Sequence, residues 1–234
     1  MPTVADRFAA GQLDQAIEQL GVELRSAPDD AQRRRFLFEL LSFAGQHERA
    51  GRQLDILAKE SASVAAAIMP YRHALEAERV REHMFDTGDL PATPAEAVLT
   101  GTLNGVPFTR LADADPRIGP RLEVFAGGRY LWIPFAHLAS VAIEPPTQLR
   151  DTRWAKARLA TAPAIRELDL GEVLLPALSP AAWRLADPEL RLGRATDWDE
   201  LPDGDFAPIG QKMLRVDDRL VPLLEVRQLI LEGA

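Results

Sequence analysis

Four pairs of closely spaced carboxylates are the groups in this 234-residue chain best suited to move protons: Asp113/Asp115, Asp197/Asp199, Asp203/Asp205 and Asp217/Asp218. Two converging acids can divide the work of general acid and general base, so a carboxylate-based hydrolase is one reading. In it, Asp113, Asp115 or Asp197 would meet Arg117 or Arg129 in a deep pocket. Every pair, however, lies beside glycine, proline or a predicted turn. Aspartate side chains hydrogen-bond their own backbone in such places, and turn chemistry accounts for all four pairs. Nothing in the spacing singles one out.

Other chemistries find less support. The histidines are His47, His73, His83 and His137. His73 and His83 fall on one predicted helix but lack the i, i+4 spacing that chelates a metal, so no metal site is assigned. The absence of cysteine removes disulfides, thiolate ligands and cysteine nucleophiles. No nucleophile elbow, phosphate-binding loop or dinucleotide fingerprint occurs. Gly101, Gly105, Gly119, Gly127 and Gly128 read as turn residues. A net charge of −8 argues against binding a phosphate backbone. No apolar run reaches the roughly 18 residues of a membrane span, and the N-terminal residues do not read as a signal peptide. A cytoplasmic protein is expected.

The residues suited to binding are aromatic and basic. Arg33, Arg34 and Arg35 precede Phe36, Leu37 and Phe38. Such a charge run is ordinarily a solvated helix face, but it could also form the rim of a groove that meets an acidic or amphipathic helix. Tyr71 lies on a later helix. Tyr130 and Trp132 alternate with Leu131 and Ile133 on a predicted strand. Either that strand is buried on both sides or one aromatic face is open for binding.

The elements that position these residues fall into two groups. Residues 3–87 carry no strand signal. Gly11, Ala16, Leu20 and Leu24 recur 34 residues later as Gly45, Ala50, Leu54 and Ala58, the period of tetratricopeptide helical pairs. The glycines stand where each first helix must turn, and the alanines let paired helices approach. Residues 64–85 read as a fifth, capping helix. Two repeats and a cap are near the lower limit for a free solenoid, so the helices are expected to lean on the C-terminal domain.

After the proline-marked stretch 88–97 the pattern becomes strand-like. Asn104-Gly105 predicts a type I′ hairpin, with Pro107 on an edge strand. Leu122–Phe125 and Arg129–Ile133 predict a hairpin turning at Gly127-Gly128, then a helical turn after Pro134 and a strand at Val141–Ile143. Pro134, Phe135, Leu138, Val141, Ile143 and Glu144 recur 88 residues later as Pro222, Leu223, Val226, Leu229, Leu231 and Glu232. The recurrence predicts two related units, in a small barrel or a twisted antiparallel sheet.

The run ADADPRIGPRLEVFAGGRYLWIPF, with IEPP and LRDTRW after it, resembles the ImpE family, also called TagJ or SciE-type proteins. RRFLFELLSFAGQHERA and ATDW are similar to it too. The likeness spans about Phe8 to Trp198 and is weakest over Ala162–Leu192. It implies an accessory protein of bacterial type VI secretion that contacts the contractile sheath, with a link to the AAA+ ATPase that recycles it. It carries over no catalytic residue.

The expected fold is therefore α+β. Tetratricopeptide-like hairpins occupy residues 1–87, a linker 88–97 and a β-rich domain 98–234. The expected function is that of a non-enzymatic adaptor holding an amphipathic helix of a sheath subunit, with no cofactor and no nucleic-acid or membrane partner. Candidate contacts are Arg34, Arg35, Phe38, Tyr71, Tyr130 and Trp132. The hydrolase reading and a purely structural scaffold are the alternatives.

Overall fold

Short polar side chains start three of the first five helices. Thr3 Oγ1 accepts the Asp6 N–H at 3.1 Å while Asp6 accepts the Thr3 N–H at 2.8 Å. Asp30 accepts from Arg33 N–H at 2.9 Å, and Ser61 from Val64 N–H at 3.2 Å. Each bond satisfies a donor that a first helical turn leaves free. The helices are α1 (Val4–Ala9), α2 (Leu13–Ser26), α3 (Ala31–Phe43), α4 (His47–Leu57) and α5 (Ala62–Thr87). They belong to a computed structural model that describes residues 2–94, 98–162 and 170–232.

The repeat is visible as geometry. Gly11 and Gly45 turn the two hairpins at φ 74° and 68°. Ala16 and Ala50 are fully buried, and Leu20 and Leu54 are 1% exposed. α5 is longer than predicted and stops at Gly88, which takes the left-handed conformation favourable to glycine. Residues 95–97 of the expected linker lie outside the described residues.

The β domain opens with β1 (Thr100–Leu103), β2 (Val106–Phe108), β3 (Leu111–Asp113), β4 (Arg121–Ala126), β5 (Arg129–Pro134), β6 (Leu138–Ile143), β7 (Trp154–Thr161) and β8 (Glu172–Pro176). A short α6 (Pro188–Arg191) precedes β9 (Thr196–Glu200), β10 (Phe206–Gly210), β11 (Met213–Val216), β12 (Arg219–Pro222) and β13 (Gln228–Glu232). One sheet runs β2-β1-β13-β6-β7-β8-β4-β5, a second β12-β11-β3, and β9 pairs with β10 alone. The β1–β2 and β4–β5 turns fall at Asn104-Gly105 and Gly127-Gly128, as predicted.

The barrel alternative fails. β2 and β5 end the large sheet and do not pair with each other. Pro107 removes a ladder donor from β2, and β5 lies against α5. The sheets are open and antiparallel.

The recurrence at 88 residues is structural. Pro134 and Pro222 share a conformation, φ −54°, ψ 133° and φ −57°, ψ 133°, and each opens a 3-10 turn. Phe135 N–H bonds Pro120 O at 3.1 Å, and Leu223 N–H bonds Lys212 O at 2.9 Å. β6 and β13 then pair antiparallel with Val141 opposite Leu229, its own counterpart. Ser140 faces Ile230 and Ala142 faces Gln228. Exchanging the two copies exchanges these pairs, so a local two-fold passes through Val141 and Leu229.

The helices do lean on the β domain, through two of its segments. In the first, Trp154 is fully buried, stacked on Phe38 at 6.2 Å and close to Tyr71 at 6.3 Å. Nearby, Arg150 bonds Glu39 at 2.8 Å. The second runs over residues 182–194. Trp183 covers Gly45, and Pro188 covers Gly11, where an added Cβ would lie 2.6 Å from the proline ring. Arg184 forks onto Asp86 at 2.6 and 2.7 Å, and Arg191 pairs with Asp14 at 3.1 Å. Arg194 donates to the Phe8 and Ala9 carbonyls at the end of α1, at 2.9 and 3.0 Å. The two repeat glycines thus serve twice, as turns and as seats.

A side chain at Gly45 would meet both a left-handed backbone and the Trp183 ring, whereas Gly88, at a similar φ of 72°, faces open space. Gly88→Ala should cost about 1 kcal/mol for the backbone alone. Gly45→Ala should cost about 2–4 kcal/mol, since overpacking adds to the backbone cost. Urea unfolding of the two variants measures the difference, and equal losses would mean that Trp183 does not rest on Gly45.

Candidate functional surfaces around the helix–sheet seam

Between α5 and the sheets lies a row of buried charge. Arg81 and Glu123 are each 1% exposed, on α5 and β4. The Arg81 guanidinium forks onto the Glu123 carboxylate at 2.7 and 2.9 Å and gives a further bond to Leu178 O at 2.9 Å. Lys212 also meets Glu123, and it reaches Asp113 at 2.6 Å. The Tyr130 hydroxyl donates to Glu123. One turn back on α5, Glu78 accepts from Trp154 Nε1 at 3.0 Å and pairs with Arg153 at 3.2 Å. Charges this deep persist only when paired and hydrogen-bonded.

The pairing sets the titration. Burial opposes the charge on Glu123, but Arg81 and Lys212 outweigh it and hold the carboxyl down at about 2. Burial pushes Asp113 up to about 6 despite Lys212, with Glu123 adding repulsion. Burial also drives the Tyr130 phenol far above its ordinary value, as does the neighbouring Glu123 carboxylate.

These positions bear on the hydrolase reading. Asp113 and Asp115 are 2% and 3% exposed. Asp113 is occupied by Lys212, and Asp115 by Arg117 at 2.7 Å. The 300 Å³ cleft beside Arg117 is lined by Leu90–Thr93, Pro116, Asp203 and Asp205 and does not include them. Asp197 stands apart on β9, bonded to the Trp198 N–H at 2.9 Å. The one meeting of the predicted kind, Asp115 with Arg117, is an ion pair whose carboxylate is not in the cleft lining. Among the described residues no three His, Asp or Glu are grouped to hold a metal.

The binding candidates divide. Phe38 and Tyr71 are 2% and 6% exposed and form the socket for Trp154, so in this fold they are core. Tyr130 and Trp132 are half-buried on the β5 face turned toward α5. Trp132 packs on Phe85 at 5.9 Å, under the Arg121 guanidinium at 4.3 Å. The strand's aromatic face is therefore covered, while Ile133 faces the sheet core. Of the basic run, Arg33 pairs with Glu23 at 3.2 Å and Arg34 bonds Gln53 at 2.8 Å. Arg35, half-exposed, lies 3.7 Å from Glu60. Of the candidates Arg35 is exposed, and Arg34, Tyr130 and Trp132 are half-buried.

A groove that sequence reading missed runs between α4 and α5. It has a volume of about 480 Å³, and Gly51 and Leu75 lie in it flanked by Glu48, Arg52, Asp55, Arg72, Glu76 and Arg79. The available signal was Gly51, a residue with no turn role in the middle of a predicted helix.

The seam makes stability depend on pH in two opposing ways. Glu123 has its native value below its unfolded 4.5, so its contribution is whole above that pH and is lost as pH falls toward about 2. Asp113 has its native value raised from 3.8 to about 6, so its contribution is whole below 3.8 and is lost as pH rises through 6. In Asp113→Asn the second dependence should vanish, leaving stability flat between about pH 4 and 6.5 where the parent declines. Glu123→Gln takes the forked partner from buried Arg81 and leaves Lys212 with Asp113 alone, and should cost on the order of 3–5 kcal/mol. Urea midpoints against pH read both, and an unchanged profile in Asp113→Asn would show that Asp113 is not buried against Lys212.

Known proteins agree with this architecture. The ImpE protein family matches residues 105–230, more than half of the chain. The type VI secretion system accessory component TagJ of Pseudomonas aeruginosa is 33% identical over 257 aligned positions, which cover 95% of this chain and 89% of that one. The crystal structure of protein VPA1032 from Vibrio parahaemolyticus superposes with a TM-score of 0.84 at 22% identity, over 99% of this chain and 98% of that one, and shows the same fold. With the family match covering more than half of the chain and 33% identity to TagJ along nearly its whole length, the chain belongs to the ImpE/TagJ family.

Proposed function

We propose that this protein is a non-enzymatic adaptor of bacterial type VI secretion that holds an amphipathic helix of a contractile-sheath subunit. We further propose that it acts in the cytoplasm, where it couples that subunit to the AAA+ ATPase that recycles the sheath. The accessory role of the TagJ relative supports the system. The family resemblance supports the sheath and the ATPase.

The observation that carries the reading is the contrast between two faces of the helices. The face bearing Phe38 and Tyr71 is filled by the chain's own Trp154. The α4–α5 groove is open, with Gly51 over Leu75 and charges of both signs along its rims, Arg72 with Asp55 and Arg79 with Glu76 among them. A helix-in-groove complex needs an apolar floor with polar groups at the edge, and here Leu75 and Gly51 are the uncharged part of the lining between charged rims. Arg34 and Arg35 extend the basic surface on α3. The buried acids support the non-enzymatic half of the reading, because their cations keep them from substrate.

Calorimetry of the full chain with purified sheath subunit is the test. Saturable micromolar binding is expected, weakened at least tenfold by Arg52→Glu combined with Arg72→Glu, since reversed rim charges repel the partner they matched. Arg34→Ala with Arg35→Ala should weaken it severalfold. No binding by the parent chain at micromolar concentration would defeat the proposal, and binding indifferent to all four substitutions would move the site off the helices.

A further inference from the structure

β9 and β10 form a hairpin that belongs to neither larger sheet. Its root is held on the β10 side, where Ser179 N–H bonds Gly210 O at 2.8 Å and Gly210 N–H bonds Ser179 Oγ at 3.0 Å. The outer side of β9 pairs with nothing among the described residues. Bonds from Gln211 N–H to Ala195 O at 3.0 Å and from Leu201 N–H to Asp205 O at 2.7 Å fix the alternation of the ladder. Asp197 and Asp199 therefore direct their backbone groups toward β10, and Thr196, Trp198 and Glu200 direct theirs outward.

The register also sorts the side chains. Trp198 and Phe206 are diagonal neighbours on one face, 36% and 53% exposed. Glu200 shares their face, Asp197 and Asp199 project from the opposite one, Asp203 and Asp205 lie at the turn beside the Arg117 cleft, and no lysine or arginine occurs from Ala195 to Gln211. Asp14 and Asp86, by contrast, are matched by arginines. In the hairpin the bonds are internal: Asp197 to Trp198 N–H at 2.9 Å, and Asp203 to Asp205 N–H at 3.2 Å.

We infer that the β9 edge docks an extended basic segment of another protein, which adds to the hairpin as a third strand. Its lysines or arginines would face the carboxylates and its apolar side chains Trp198 and Phe206, while its backbone would bond the outward groups of Thr196 and Glu200. A second copy of this chain is a poor occupant, because edge-to-edge pairing would set carboxylates against carboxylates. The surface is separate from the α4–α5 groove, and the inference goes beyond the sheath-helix reading.

The probe is a fluorescein-labelled ten-residue peptide alternating lysine with valine, titrated into the full chain and read by anisotropy. A control peptide carries glutamate for lysine, and another keeps the charge but is N-methylated at alternate backbone nitrogens. Saturable binding of the lysine peptide alone is expected. It should fall at least tenfold with N-methylation, with Trp198→Ala plus Phe206→Ala, and with Asp197→Asn, Asp199→Asn and Glu200→Gln together. All these side chains are exposed, and an unchanged urea midpoint confirms the fold. Three results would overturn the inference: equal affinity for the N-methylated peptide, which would leave only diffuse attraction; binding indifferent to the hairpin substitutions; or a dimer in sedimentation that disappears in Trp198→Ala, which would make a second copy the occupant.

Discussion

The pairing of Arg81 with Glu123 is the constraint on which the rest depends. Both groups are out of water, and a buried ion left alone costs several kcal/mol. Glu123 on β4 must therefore face Arg81 on α5, and once it does, the long helix has one position along the sheet. Lys212 and Tyr130 add to the same carboxylate, so three parts of the β domain are referenced to one atom group. An apolar seam of the same volume would be as stable or more so but less particular about register. Here the ionic seam fixes register and the aromatic contacts around Trp154 supply the burial.

The chain is built from two kinds of repetition that meet at this seam. The helical hairpins repeat by translation, each presenting a glycine to residues 182–194. The β unit repeats by a local two-fold through Val141 and Leu229. Neither is complete alone. The helical stack lacks a neighbour for its Phe38 face, and the sheet lacks a cover for Tyr130 and Trp132. Each supplies what the other is missing, so the hydrophobic core of the helices continues into Phe125, Trp154 and Leu174 of the sheet.

Much of this was legible in sequence because the signals were local. Asn104-Gly105 demanded positive φ at adjacent residues and took it. Pro134 and Pro222 marked the same bend twice. Gly11 and Gly45 marked two turns. What lay beyond reach was long-range. Phe38 and Tyr71 sit at helical spacing whether they face a partner or the chain's own Trp154, and no local rule tells these apart. Glu123 is separated from Arg81 by 42 residues and from Lys212 by 89, and nothing near it announces a cation. The seats of Trp183 and Pro188 belong to the region of weakest family likeness. The open barrel-or-sheet question turned on whether β2 and β5 meet, which depends on where α5 lies.

The glycine seats bear on mechanics. A free helical solenoid is a spring: its repeats touch only their neighbours, and load applied at one end stretches the superhelix one repeat at a time. In this chain Trp183 and Pro188 tie both hairpins to a single short segment of the β domain. Arg184 and Arg191 clamp that segment at either end. A pull on α4 passes sideways into that segment within one contact instead of travelling along the stack. The molecule would answer tension as a strut, transmitting displacement without losing it to compliance.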